Sequence, residues 1–178
     1  MYVDVNNAPS VRSATPPPST TAERAGLRHA FGKFATGVTI VTTRTADGPL
    51  GITANSFSSV SLDPAIVLWS IARESRRFEP FSGSRFQAIH VLADDQIELC
   101  RRFFRSGTDF SSLDVGIDRN GVPLLPGVLA RFDCEIVNRV ECGDHLVLMG
   151  QVRSFVAADG EPLVFSSGHY ARVEAISP

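Results

Sequence analysis

Apolar positions change their period several times along this chain. Residues 1–22 show almost no apolar periodicity. Asn, Ser and Thr dominate them, with the run Pro16-Pro17-Pro18, so they are expected to form a flexible tail ahead of one domain over 23–178. Helical spacing then begins. Leu27, Phe31 and Phe34, with Ala30 and Ala35, recur at three- and four-residue intervals and predict one apolar stripe, with Arg24, Arg28 and Lys33 on the other side. Thr20 followed three residues later by Glu23 reads as a capping box, and Gly37 is the expected stop. His29 is expected at the helix surface.

From Val38 the pattern becomes that of strands. Residues 38–43 are rich in β-branched side chains, the composition a strand prefers. Asp47-Gly48-Pro49 is a turn signal, so 38–43 and the stretch 51–61 are predicted to form a hairpin. Asp63-Pro64 breaks the chain again, and 65–71 is apolar nearly throughout, as for a strand covered on both faces. Residues 86–92 predict a further strand, with His90 expected as a hydrogen-bonded core residue. A second amphipathic helix starts at Asp94 and Asp95, with Ile97, Cys100, Phe103 and Phe104 inward and Arg101, Arg102 and Arg105 outward. The loop over 106–126 is long enough to be functional or mobile. Residues 128–140 and 146–152 flank the turn Cys142-Gly143-Asp144-His145, with Leu129, Phe132, Cys134, Ile136 and Val140 as core positions. After the turn at Asp159-Gly160, segments 162–165 and 169–173 close the chain. Successive strands joined by short turns predict a mainly β, α+β fold, an antiparallel meander or barrel rather than βαβ units.

Composition narrows the function classes. The 178 residues suit one domain, and a formal net charge of −2 offers no polyanion-binding surface, so nucleic acid is not an expected partner. No apolar run reaches membrane-span length, and the first residues lack the apolar core of a signal peptide. Three widely spaced cysteines without a C-x-x-C do not form a disulfide framework. A cytoplasmic location is therefore expected.

Two stretches carry candidate chemistry. Over 51–61, short hydroxyl and amide side chains crowd between the apolar anchors Ile52, Phe57 and Val60. Such a strip suits a slot for a flat polar molecule, and equally an edge strand with one face in water. Residues 72–77 follow the apolar strand; there Ser75 opens a short helix running toward Phe81, with Arg76 and Arg77 in its first turn. Basic residues oppose the helix dipole unless an anion sits there, so the turn reads as a phosphate site or as a solvated basic turn. No dinucleotide fingerprint, P-loop or nucleophile elbow occurs, and Cys142-x-x-His145 lacks further ligands at metal-site spacing.

The order of several longer motifs is more specific. Gly-x-Phe-Ala-Thr-Gly-Val-Thr-x-Val-Thr-Thr spans 32–43, and Gly-x-Thr-Ala-Asn-Ser-Phe-x-Ser-Val-Ser-Leu-Asp-Pro spans 51–64. The strand and helix start over 86–96, Gly143-Asp144-His145 and Gly168-x-Tyr170 follow. From about Leu27 to Val173 the chain resembles the flavin reductase family, the small reductase components of two-component flavin-dependent monooxygenases. That resemblance implies a split β-barrel binding FMN or FAD, a homodimer with each flavin near the subunit interface, and reduced flavin passing to a separate monooxygenase. It implies that Thr53, Ala54, Asn55 and Ser56 lie along the flavin ring and ribityl chain, that Ser70, Ile71 and Ala72 lead toward the phosphate, and that Ser75, Arg76 and Arg77 hold it. His145 and Tyr170 would border the nicotinamide of NADH, as would Thr36 and Gly37. No side chain is implied as a catalytic acid or base. Where many members carry Asn in the 86–92 strand, this chain has His90. A flavin carrier or sensor that does not turn over NADH is the alternative on the same fold.

Overall fold

The computed structural model describes residues 20–174. The expected tail lies outside them, except for Thr20, Thr21 and Ala22, which open the first helix. In chain order the elements are α1 (Thr21–Phe31), β1 (Thr36–Gly37), β2 (Thr39–Thr45), β3 (Gly48–Ala54), β4 (Ser58–Leu62), β5 (Ala65–Ala72), α2 (Phe78–Gly83) and β6 (Phe86–Val91). There follow α3 (Ile97–Arg105), β7 (Gly116–Ile117), β8 (Pro123–Leu124), β9 (Ala130–Cys142), β10 (His145–Ala157), β11 (Val164–Ser166) and β12 (His169–Ala171). Seven strands form one antiparallel sheet in the order β3-β2-β6-β9-β10-β5-β4. Among the described residues no helix is long and apolar enough to cross a membrane.

The predicted hairpin is present: β2 pairs with β3 from Thr39↔Ala54 to Thr45↔Gly48. The stretch 51–61, however, is two strands rather than one. β3 ends at Ala54, and β4 pairs with β5 at the opposite margin of the sheet. Only Asn55, Ser56 and Phe57 separate them, a link that reaches at most about 14 Å. The sheet must therefore curl until its two margins lie within that reach. Ser56 makes the corner. Its Oγ accepts from Ser70 N at 2.9 Å and donates to Ser70 O at 3.1 Å, tying the link to β5. Phe57 stacks on Phe132 of β9 at 5.5 Å between ring centroids, across the curl.

β5 is not covered equally on both faces. Val67, Trp69 and Ile71 are buried, whereas Ile66, Leu68, Ser70 and Ala72 are half-buried, because alternate side chains of a strand leave opposite faces. The inward set packs with Val41, Ile89, Cys134, Ile136 and Leu148, and α2 closes that core with Phe81. Trp69 Nε1 donates to Gln87 Oε1 at 2.8 Å, so the buried indole and amide satisfy one another. A second core lies beneath α3, where Cys100 and Phe103 meet Val38, Ile40, Leu92 and Leu163. Phe104, expected inward, is 72 % exposed. Adjacent helical residues point about 100° apart, and Phe103 has taken the inward direction.

Elsewhere some expectations hold and others change. The capping box of α1 forms, with Thr20 Oγ1 accepting from Glu23 N and Glu23 Oε2 accepting from Thr20 N. The helix stops at Gly32 rather than Gly37, because Gly32 O accepts from Ser167 N at 2.7 Å and ties that end to the β11–β12 hairpin. Gly37 instead pairs with Val164. No residue of α1 is buried, and Leu27, Phe31 and Phe34 are exposed. The 106–126 loop carries the β7–β8 hairpin and buries Val122, Pro123 and Leu125, so much of it is anchored. In β9, Cys134 and Ile136 are core residues, while Val140 is exposed beyond the core's edge.

Candidate functional site

Two cavities open where β3, β5 and the end of α3 converge. One, about 170 Å³, is lined by Thr53, Ala54 and Asn55, with Phe104, Phe165 and Tyr170 around them. The other, about 450 Å³, is lined by Thr53, Ala72, Glu74, Ser75, Arg76, Arg77 and Phe104. Thr53 and Phe104 belong to both. The hydroxyl strip and the basic turn, with β5 between them in the chain, therefore meet across one side chain of β3.

Local folding positions each group. Thr53 Oγ1 donates to Cys100 O at 2.8 Å, fixing β3 against α3. Ala54 O accepts from Thr39 Oγ1 at 2.8 Å, so this strand end is held from below. Asn55, at the exposed corner, makes no side-chain hydrogen bond to another described residue. Ser56 and Ser70 bond one another, as described. Ile71 directs its side chain into the core, which leaves only its backbone for a ligand. Ala72 is half-buried and pairs with His145 of β10.

The basic turn precedes α2 rather than forming its first turn. Ser75 N donates to Ala72 O, Phe78 N donates to Ser75 O, and Ser75 Oγ accepts from Arg77 N at 3.2 Å. Arg76 is exposed. Arg77, expected at the phosphate, sends its guanidinium to the end of α3, where Nη1 donates to Phe103 O at 2.8 Å and Nη2 to Phe104 O at 3.3 Å. Burial, with Arg76 adding like charge, lowers its pKa.

The residues expected around nicotinamide divide into two groups. Tyr170 lies in the smaller cavity, its ring 5.3 Å from that of Phe165 and its hydroxyl 3.2 Å from Cys100 Sγ. Burial, then the Cys100 contact, pushes the phenol up to about 12, so it stays protonated at neutral pH. Thr36 pairs with Phe165 through β1 and β11. Its Oγ1 is buried without a partner among the described residues. His145 lines neither cavity; it stands at the start of β10, half-buried and next to Ala72 in register. Its Nδ1 is 2.8 Å from Asp144 Oδ1, and that bond holds the Asp144 carboxyl below its ordinary pKa. His90 is a core residue as expected, and Phe104 and Phe165 are lining residues the sequence reading missed. The one signal was the pair Phe103-Phe104, of which a helix can turn only one inward.

A flavin fits these residues. The larger cavity is within the roughly 300–1,000 Å³ of small-molecule pockets. Thr53, Ala54, Ala72 and Ser75 leave room for a flat ring along the backbone. Asn55, exposed at the corner, offers an uncommitted donor and acceptor.

The curled antiparallel sheet thus sets a hydroxyl- and amide-lined slot beside a basic turn. The chain belongs to the flavin reductase family: the flavin reductase like domain matches residues 31–174. It is 50 % identical over 146 residues to FMN reductase (NADH) SmoA of Agrobacterium fabrum, covering 82 % of this chain and 84 % of that protein. It is 45 % identical over 146 residues to the reductase component of the flavin-dependent trigonelline monooxygenase of Acinetobacter baylyi. That match covers 81 % of this chain but only 47 % of that longer protein, so the chain spans about half its length. Among solved structures, the NADH:FAD oxidoreductase SgcE6 of Streptomyces globisporus, in complex with NAD and FAD fragments, matches with a TM-score of 0.81 and 34 % identity. The match covers 87 % of this chain and 95 % of that one.

Proposed function

We propose that this chain is an NADH:flavin oxidoreductase that moves hydride from NADH to FMN or FAD and supplies the reduced flavin to a separate monooxygenase. Relatives named as an NADH-dependent FMN reductase and as a monooxygenase reductase component support this reading. The observation that carries it is the shared wall at Thr53, which joins the slot beside Asn55 to the turn bearing Ser75 and Arg76. Bound flavin supplies the hydride-accepting chemistry; the protein binds and orients.

Thr53, Ala54, Asn55 and Ser56 form the floor for the ring system, with Asn55 as the hydrogen-bonding group. The backbone of Ser70, Ile71 and Ala72 carries the line toward Ser75 and Arg76, which face the phosphate. His145, Tyr170, Thr36 and Gly37 border the nicotinamide, where small or edge-on groups leave space for a second flat ring. No side chain need gain or lose a proton for hydride to cross, so the task of these residues is alignment.

The curl of the sheet, whose end strands are joined by three residues, supports a split β-barrel. The uncovered apolar stripe of α1 supports a homodimer in which a second copy covers it. Free Cys100, Cys134 and Cys142 fit a cytoplasmic location. Anaerobic mixing of the protein with NADH and each flavin in turn tests the activity. Rapid loss of the oxidised flavin absorbance is expected. Flavin binding without bleaching would make the chain a carrier or sensor instead.

A further inference from the structure

Arg76 and Arg77 are neighbours in sequence but not in role. Arg76 is exposed and makes no hydrogen bond or ion pair to another described residue. The Arg77 fork closes on the carbonyls of Phe103 and Phe104. These lie in the last turn of α3, where carbonyls lack helical partners and a cation is favourable. Gly107 covers the same guanidinium. A Cβ there would come within 2.8 Å of Arg77 Nε and 2.6 Å of Gly51 O, and Gly51 N donates to Gly107 O at 2.7 Å. Arg77 is thus half-buried at the wall of the larger cavity, with its guanidinium committed to the end of α3 and its own N–H held by Ser75 Oγ. What it fixes is the one residue common to both cavities that comes from α3, the exposed ring of Phe104.

We infer that Arg77 is a positioning residue, not an anion contact: it locks the end of α3 so that Phe104 stands as the wall between the two cavities, and Arg76 alone supplies the guanidinium for the flavin phosphate. This rests on the flavin reading above. It separates two contributions that neighbouring arginines would otherwise share. Affinity for the ring and ribityl portion, common to riboflavin and FMN, depends on Arg77 through Phe104. The added affinity of FMN over riboflavin depends on Arg76.

The test is titration of the full chain with riboflavin and with FMN, read by quenching of flavin fluorescence, for the wild type, Arg76→Ala, Arg77→Met, Phe104→Ala and the Arg77→Met/Phe104→Ala double variant. Arg76→Ala is expected to remove the preference for FMN, a change of about tenfold or more. Arg77→Met is expected to weaken both ligands alike, with the FMN-to-riboflavin ratio kept within about twofold. Phe104→Ala does the same, and the double variant binds no more weakly than Phe104→Ala alone. A purely structural role would add its loss in the Phe104→Ala background. If Arg77→Met melts before it can be titrated, Arg77→Lys serves, since it keeps the charge but not the planar fork. Loss of the FMN preference in either Arg77 variant, or full additivity in the double variant, overturns the proposal. A wild type that binds neither flavin, or an Asn55→Leu variant that binds both unchanged, instead overturns the flavin reading on which it rests.

Discussion

His90 offers the sharpest physical test, because its environment allows one protonation state. It is fully buried in β6, with Nδ1 3.0 Å from Ile40 O and Nε2 3.1 Å from Leu125 N. The neutral ring donates through Nδ1 and accepts from Leu125 through Nε2. A second proton would set two donors face to face. Burial is the main cause that pushes its pKa down to about 4; the Ile40 bond and Asp133 work upward, and Arg131 downward. The unfolded chain binds this proton near 6.5. Between those values the unfolded state holds more protons, so stability is whole above about 6.5, falls as pH falls toward about 4, and levels off below. At about 1.4 kcal/mol per pKa unit the full loss is about 3 kcal/mol, a large part of a typical 5–15 kcal/mol. Urea melts from about pH 7.5 to about pH 4.5, compared with those of His90→Gln, isolate this contribution. The variant keeps a donor and an acceptor but cannot titrate. Asp109, Glu135 and Asp144 also have lowered pKa values, but they remain in both proteins and act below their ordinary values of 3.8, 4.5 and 3.8. Equal pH slopes in wild type and variant would refute the reasoning.

Three other predictions concern the corner and the slot. Asn55→Leu should weaken flavin affinity by about tenfold through loss of the uncommitted amide, and an unchanged flavin titration would contradict the slot. His145→Ala should raise KM for NADH more than it raises Kd for flavin; identical NADH kinetics would remove His145 from the site. Ser56→Ala should lower stability by about 1–3 kcal/mol, because Ser70 N–H and C=O both lose their partner, and a melting midpoint equal to wild type would show that water replaces the hydroxyl.

Local signals were legible where one short interaction decides the structure. The Thr20–Glu23 capping box, the turn at Asp47-Gly48 and the hairpin around Gly143 each form within a few residues, and each is present. What the sequence hid depends on distant partners. Alternation through 51–61 is the same whether one strand or two result; the break at Asn55 comes from Ser56 reaching Ser70. The stripe of Leu27, Phe31 and Phe34 declares an amphipathic helix but not what it packs against. Arg76-Arg77 reads as one basic patch, and only the carbonyl ends of α3 separate the two. Thr53, Ala54 and Asn55, which line the smaller cavity, were pointed to by the long ordered motifs. Phe104 was not, because helical spacing left two adjacent phenylalanines and one inward direction.

The three-residue bridge from β3 to β4 ties ligand chemistry to the mechanical integrity of the sheet. Asn55 sits on the same short tether that holds both outer strands together. A molecule gripping that amide braces two rims at once, and its departure loosens both.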